Sequence, residues 1–325
     1  MSLSVVYITE AGPVVGLGHL RRCQALATAL RRRGAGARFL IDGATDVAGH
    51  DAVYLDWTQE PMTVCAPVAA WHPDAVVVDS YRATPELLSR LRAIGCVIAI
   101  DDLADRAVPV HVVVNGAFHA ARLSYRCAAD TKLLLGPEYS LVDPAFAASP
   151  DRVPAEIVGR VLVTLGGSAT ASALATAVAA VRRAAPSATV DVALGLYADD
   201  LPDDGGLVIA HRGQRSLREL IRHADLAVTA GGMTLYECLA TGTPAVGLCC
   251  ADNQRLNIEA LSRAGLVVSA EPSLRGAVRR VAADRELRWR MAAEGRRHVD
   301  GRGAERVAEA IAQVCNTAGA GRDAR

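Results

Sequence analysis

Apolar residues fall in short runs separated by stripes of helical period. SVVYIT, ARFLID, DAVYLD, DAVVVD, CVIAIDD and HVVVN are near-continuous apolar runs, the pattern of parallel strands covered on both faces. DAVYLD and DAVVVD both read as buried strands that end on an aspartate. Between the first two runs, HLRRCQALATALRRRG carries apolar residues at helical spacing and stops at Gly34. TPELLSRLRAIG opens a helix with Thr84 as cap and Pro85 in the first turn. Strand and helix in alternation predict a doubly wound parallel sheet.

The alternation breaks near Asp143. DPAFAASPDRVPAEIVG carries three prolines and many small residues, and reads as a linker. The pattern then restarts. RVLVTLGG, ATVDVALG, GLVIA, DLAVTAGG and TPAVGLCC read as strands, while ASALATAVAAVRRA, MTLYECLATG and NQRLNIEALSRAG read as helices. The expected organisation is an N-terminal domain over 1–145, a linker over 146–158 and a second domain over 159–300. A C-terminal helix with a disordered tail, NTAGAGRDAR, then occupies 301–325.

Composition narrows the function classes. The chain has 325 residues, 51% of them apolar, with 35 basic and 35 acidic side chains, so no global field favours nucleic acid or an anionic membrane. No apolar run reaches the length of a membrane span, and MSLSVVYITE reads as a strand rather than a leader. The eight cysteines form no C-x-x-C pair and read as buried free thiols. These features predict a cytoplasmic protein without nucleic acid or stable membrane insertion; a monomer or homodimer is expected.

Three strands run into glycine turns that open helices: Gly16-Leu17-Gly18-His19, Gly166-Gly167-Ser168 and Gly231-Gly232-Met233-Thr234. Glycine lets backbone N–H groups approach an anion, and the helix start adds positive potential. A dinucleotide loop is disfavoured because its third glycine position is Arg21. No Walker loop and no D-x-D carboxylate pair are present, so phosphate binding without a metal or other cofactor is expected.

GLGHLRRCQALATAL, VVVDSY, IAIDDLADR, LLLGPEYSLVDPAF, RVLVTLGGS and DLAVTAGGMTLYECLATGTPAVGLCCADNQRLNIEAL together resemble the UDP-sugar hydrolases of the pseudaminic acid pathway and their spore-coat polysaccharide relatives. The second half also resembles the nucleotide domain of the peptidoglycan N-acetylglucosaminyl transferase. The resemblance covers residues 1 to about 270 and implies a GT-B fold, two doubly wound (Rossmann-like) α/β domains facing a cleft. It implies that His19 is the catalytic base, that Tyr81 lies near the reacting sugar, and that Asn253 is needed for activity. It also implies that Glu237 binds ribose hydroxyls, and that Gly16, Gly18, Gly166, Gly167, Ser168, Gly231, Gly232, Met233 and Thr234, with Asp252 and Gln254, hold the nucleotide sugar. At a helix start, positive potential disfavours imidazolium, so a neutral His19 suits a general base. Asp79, Asp101 and Asp102 read as turn formers at strand ends.

The chain departs from that family in its first half. ITEAGPVV lacks the arginine usual after the first strand, RATPELL replaces an aromatic-rich stretch, and Asn115, Phe118 and His119 could line the cleft in a new way. The implied reaction is cleavage of a UDP-sugar, by inverting transfer to a small acceptor or by hydrolysis, and the changed loops tip the reading to transfer.

Overall fold

A computed structural model describes residues 3–43, 51–148, 153–167, 169–195, 207–214 and 216–320. The chain divides into two compact units, one up to Leu141 plus the residues from Arg302 onward, the other Val142–Gly301.

Unit 1 contains β1 (Ser4–Glu10), α1 (Gly18–Arg31), β2 (Gly36–Asp42), β3 (Asp51–Tyr54) and α2 (Cys65–Ala70). After these come β4 (Ala75–Asp79), α3 (Pro85–Ile94), β5 (Cys96–Ile100), β6 (Val112–Asn115) and β7 (Lys132–Leu135). The strands pair in parallel in the order β3-β2-β1-β4-β5-β6-β7. Pleating splits each central strand between two cores. Tyr7, Val77 and Ile98 face Leu20, Cys23, Leu26 and Leu30 of α1, whereas Ile8, Val78 and Val97 face Val68 of α2 and Leu87, Leu88 and Leu91 of α3. The Thr84 hydroxyl caps α3 by accepting from the Leu87 N–H.

DAVYLD does not become a buried strand. It forms β3 at the edge of the sheet, where Val53 and Tyr54 are exposed. An apolar run shows β propensity but not its place in the sheet, and a partner on one side only leaves half its surface in water.

Unit 2 contains α4 (Pro144–Ala147), β8 (Arg160–Thr164), α5 (Ala171–Ala184), β9 (Thr189–Ala193), β10 (Val208–His211) and α6 (Arg218–His223). It continues with β11 (Leu226–Ala230), α7 (Met233–Thr241), β12 (Ala245–Leu248), α8 (Arg255–Arg263), β13 (Val268–Ser269), α9 (Leu274–Ala283) and α10 (Arg285–His298). Its sheet is parallel, in the order β10-β9-β8-β11-β12-β13. Val161, Val163, Val190, Val192 and Val228 pack on Leu174, Val178 and Val181 of α5 and on Val278 and Val281 of α9. The proline-rich stretch that opens this unit is pinned at its end. Buried Arg288 donates to the carbonyls of Ala155 (2.7 Å), Glu156 (3.1 Å), Val281 (2.9 Å) and Ala282 (2.7 Å).

The last helix, α11 (Gly303–Ala320), returns to unit 1. Its Val307, Ala308, Ile311 and Cys315 form a stripe that joins the α1 core. Among the described residues no helix is long and apolar enough to cross a membrane.

Candidate active site

In unit 1 the winding reverses between β1 and β4, since the chain proceeds from β1 outward to β2 and β3 and then comes back to β4 on the other side. At such a reversal the connections leave the two strands toward opposite faces, and a crevice opens at their carboxyl ends. His19 and Asp79 both lie there. His19 is the second residue of α1, and Asp79 is the last residue of β4. Both are buried. His19 Nδ1 lies 2.6 Å from Asp79 Oδ1. A carboxylate can only accept, so the proton sits on Nδ1 and the lone pair of Nε2 is left for chemistry.

Arg22 follows His19 by three residues and therefore shares its helix face. Its guanidinium grips Asp79 with one edge, Nε to Oδ2 at 3.0 Å and Nη2 to Oδ1 at 2.7 Å. Its third nitrogen, Nη1, donates to Asp102 Oδ2 at 2.5 Å. The Tyr81 hydroxyl donates to that same Asp102 oxygen at 3.0 Å, and the Tyr81 ring meets the His19 ring edge-on at 4.7 Å between centroids. Burial alone would raise the Asp102 carboxyl, but the Arg22 charge and hydrogen bond, with smaller contributions from His19 and Tyr81, together outweigh it and hold Asp102 below the usual carboxylate range. The two carboxylates likewise outweigh the burial of Arg22 and keep it a cation. Burial, followed by the Asp102 charge, pushes the Tyr81 hydroxyl well above an ordinary tyrosine, so it stays a donor through neutral pH. With neutral His19 the cluster carries one net negative charge. It becomes neutral when the imidazole takes a proton, which favours that step.

Asp79 and Asp102 therefore do not act as turn formers; they organise the histidine, arginine and tyrosine. Asp101 does form a turn. Its Oδ1 accepts from the N–H groups of Leu103 (3.1 Å) and Ala104 (2.8 Å), and Arg106 pairs with Oδ2 at 3.0 Å. Asn115 does not line an open surface. It is fully buried, donates to the Tyr125 hydroxyl at 2.9 Å and accepts from the Ala117 N–H at 2.9 Å. His119 is buried as well. Gly16, at φ +72°, closes a five-residue loop in which Gly12 and Gly16 exchange two backbone hydrogen bonds (3.1 and 2.8 Å). Gly18 is the first residue of α1.

Unit 2 repeats the reversal between β8 and β11, and the two remaining glycine loops follow these two strands. Gly166 sits at φ +92°, a conformation that favours glycine, with open space where a Cβ would be. A Cβ on Gly195 would lie 2.5 Å from the Gly167 carbonyl oxygen, so the two turns touch backbone to backbone. Ser168 lies outside the described residues.

In the second loop the residues divide their work. The Gly231 N–H is already given to Gln254 Oε1 (3.1 Å), which also accepts from the Cys250 N–H (3.0 Å). Asn257 donates to the Gly231 carbonyl at 2.9 Å and accepts from the Tyr236 hydroxyl at 2.5 Å. A Cβ on Gly231 would stand 2.8 Å from Gln254 Cβ and from Ile258. Gly231 thus serves packing and Gln254 braces the loop. Donors for an anion are left to the start of α7. Gly232 is its N-cap, and Met233 and Thr234 carry N–H groups of the kind a first turn leaves without an intrahelical partner. Glu237 lies one turn further on and is only 8% exposed, not a solvated helix residue. Asp252 and Asn253 are exposed on the single 3₁₀ turn that leads into α8. Among the described residues, no three His, Cys, Asp or Glu side chains are grouped to hold a metal ion.

Comparison with solved structures identifies the architecture. The chain superposes over 97% of its length on Arabidopsis thaliana UGT89C1 complexed with UDP-L-rhamnose (TM-score 0.69, 13% identity, 99% of that chain). It matches the kitacinnamycin glycotransferase with TM-score 0.66 at 20% identity, covering 96% of this chain and 99% of that one. Acinetobacter baumannii MurG gives TM-score 0.61 at 16% identity, over 95% and 99% of the two chains. The chain has the GT-B fold. No protein-family model matches it. In sequence this GT-B chain is 22% identical over 329 residues to the spore coat polysaccharide biosynthesis protein SpsG of Bacillus subtilis (strain 168), across 94% of its own length and 96% of that protein.

The sequence alone did not single out Arg22 or the orienting role of Asp79. Two local signals carry them. His19 and Arg22 stand three apart on one helix face, and Tyr81 stands two residues beyond Asp79, in the turn that follows β4.

Proposed function

We propose that this protein is an inverting glycosyltransferase that moves a sugar from UDP to a small acceptor in carbohydrate biosynthesis. The observation that carries the reading is the hydrogen bond from His19 Nδ1 to buried Asp79 at the switch point of unit 1. Nε2 of His19 takes the proton of the acceptor hydroxyl as its oxygen attacks the anomeric carbon. The bond from that carbon to the UDP oxygen breaks, and UDP departs with the electron pair. Asp79 stabilises the imidazolium, which later yields its proton to water. Tyr81 orients the sugar beside His19.

Unit 2 supplies the nucleotide contacts. The N–H groups at the start of α7 and the Gly166-Gly167 turn take the diphosphate charge, Glu237 takes the ribose hydroxyls, and Asp252 and Asn253 contribute polar contacts to the nucleotide sugar. The fold, the similarity to a polysaccharide-biosynthesis protein, and neighbours solved with UDP-L-rhamnose or thymidine diphosphate support a nucleotide-sugar donor.

A panel of UDP- and TDP-sugars incubated with the protein, with and without candidate acceptors, tests the reading. Nucleoside diphosphate released only when an acceptor is present, with a glycosylated product, supports transfer. Release with free sugar and no acceptor makes the protein a hydrolase, with water in the acceptor's place. No release and no binding of any nucleotide sugar overturns both.

A further inference from the structure

We infer that Arg22 is the positioning residue of this site, a single guanidinium that fixes both the aspartate behind His19 and the aspartate behind Tyr81. The inference rests on the reading of His19 as the base.

The geometry is specific to arginine. Three nitrogens of one planar fork are used in two directions, two of them on Asp79 and the third on Asp102. Lysine offers one ammonium and cannot span this arrangement. Arg22 is also buried among side chains it does not match by accident. It lies on α1, Asp79 ends β4, and Asp102 follows β5, separated from Arg22 by 57 and 80 residues along the chain. No element's own folding requires the three to meet, so the cluster is a tertiary construction.

Two consequences follow for His19. With both Asp79 oxygens held by Arg22, the carboxylate cannot rotate, and the bond from Nδ1 keeps the ring and its Nε2 lone pair in one direction. The cation also lies close to the ring, since Nη2 stands 3.1 Å from Nδ1. Both nitrogens are donors when Nδ1 carries its proton, so this is a charge contact and not a hydrogen bond. The charged groups facing the imidazole are Asp79 from β4, Asp102 from the turn after β5 and Arg22 from its own helix, and Tyr81 is the titratable neighbour from the turn after β4. Arg22 is the cation among these and offsets the two carboxylates. Without it, the anions act on His19 unopposed and the ring holds its proton to higher pH.

The experiment compares Arg22→Gln, which removes the charge, with Arg22→Lys, which keeps the charge and loses the fork. The readouts are kcat, KM for the donor, the pH profile of kcat/KM, and an NMR titration of the ¹⁵N-labelled His19 ring assigned with His19→Gln. Expected for Arg22→Gln is a loss of kcat of roughly a hundredfold or more with donor KM within about twofold. The acid limb of kcat/KM and the ring's titration midpoint should both move to higher pH, because the cation that offsets the two carboxylates is gone. Arg22→Lys should lose roughly tenfold in kcat while its titration midpoint stays near that of the parent. Thermal melting and UDP binding check that each variant is folded; if Arg22→Gln fails to fold, the kcat loss with unmoved midpoint in Arg22→Lys decides. Full kcat in Arg22→Lys, or an unmoved titration in folded Arg22→Gln, overturns the inference. Failure of the base reading looks different: His19→Ala then keeps its turnover whatever the Arg22 variants do. The ring titration reports on Arg22 even without turnover.

Discussion

Asp79→Asn perturbs the site in a way whose direction can be worked out from the contacts. Asp79 accepts three hydrogen bonds, from His19 and Arg22 on Oδ1 and from Arg22 on Oδ2. An asparagine must turn its NH₂ toward one of these positions. Placed at Oδ1 it faces two donors, and placed at Oδ2 it faces one, so the amide will settle with its oxygen toward His19. The ring therefore keeps its tautomer, but the imidazolium formed during reaction loses its anion. A hydrogen bond to a charged group contributes about 1.5–3 kcal/mol. At about 1.4 kcal/mol per decade, kcat/KM should fall roughly 10- to 150-fold. Removing an anion disfavours imidazolium, so the acid limb of kcat/KM should move to lower pH, opposite to the shift expected for Arg22→Gln. Stopped assays of nucleoside diphosphate release across pH 4–9 would measure both effects, and UDP titration calorimetry would confirm that unit 2 is intact. A plateau within about threefold of the parent and an unmoved acid limb would refute the argument that Asp79 stabilises the charged base.

Three further outcomes are expected. Glu237→Ala should weaken UDP binding by roughly 1.5–3 kcal/mol, one to two decades in affinity, measured by calorimetry; unchanged affinity removes Glu237 from the nucleotide site. Gly231→Ala places a Cβ 2.8 Å from Gln254 Cβ and Ile258, so it should lower the melting temperature and displace the start of α7, weakening UDP binding as well; a variant with the parent's melting temperature and affinity shows that the loop yields freely. Turnover should survive EDTA, because backbone N–H groups and a helix start carry the diphosphate charge in this account; loss on chelation with recovery on added magnesium or manganese contradicts it.

The fold was legible where the physics is local. Runs such as AVVV and CVIAI have to be covered on both faces, and their alternation with helices leaves few topologies besides a parallel sheet. The exposure of β3 was not legible, because an edge and a centre draw on the same residues. Nor was the return of α11 to unit 1. Its apolar stripe says that a face is buried, and only tertiary packing says against what. The candidate site divides in the same way. His19 stood out because glycines and a helix start surround it in sequence. Asp79, Arg22 and Asp102 acquire their roles from contacts across 57 to 80 residues, which no local pattern encodes. Gly231 and Gln254 were legible as a loop, but not the fact that the Gly231 N–H is already spent on Gln254.

The central claim is that His19 is the proton acceptor, and His19→Ala measured beside its parent tests it most directly. UDP affinity should be unchanged within about twofold, since the nucleotide is assigned to unit 2. Turnover of the active nucleotide sugar should fall roughly 10²–10⁴-fold, the usual contribution of a general base. His19→Asn, polar but unable to take a proton at neutral pH, should be nearly as slow. Turnover within about threefold of the parent in both variants, with UDP still bound, would contradict the account and reduce His19 to a packing residue at the start of α1.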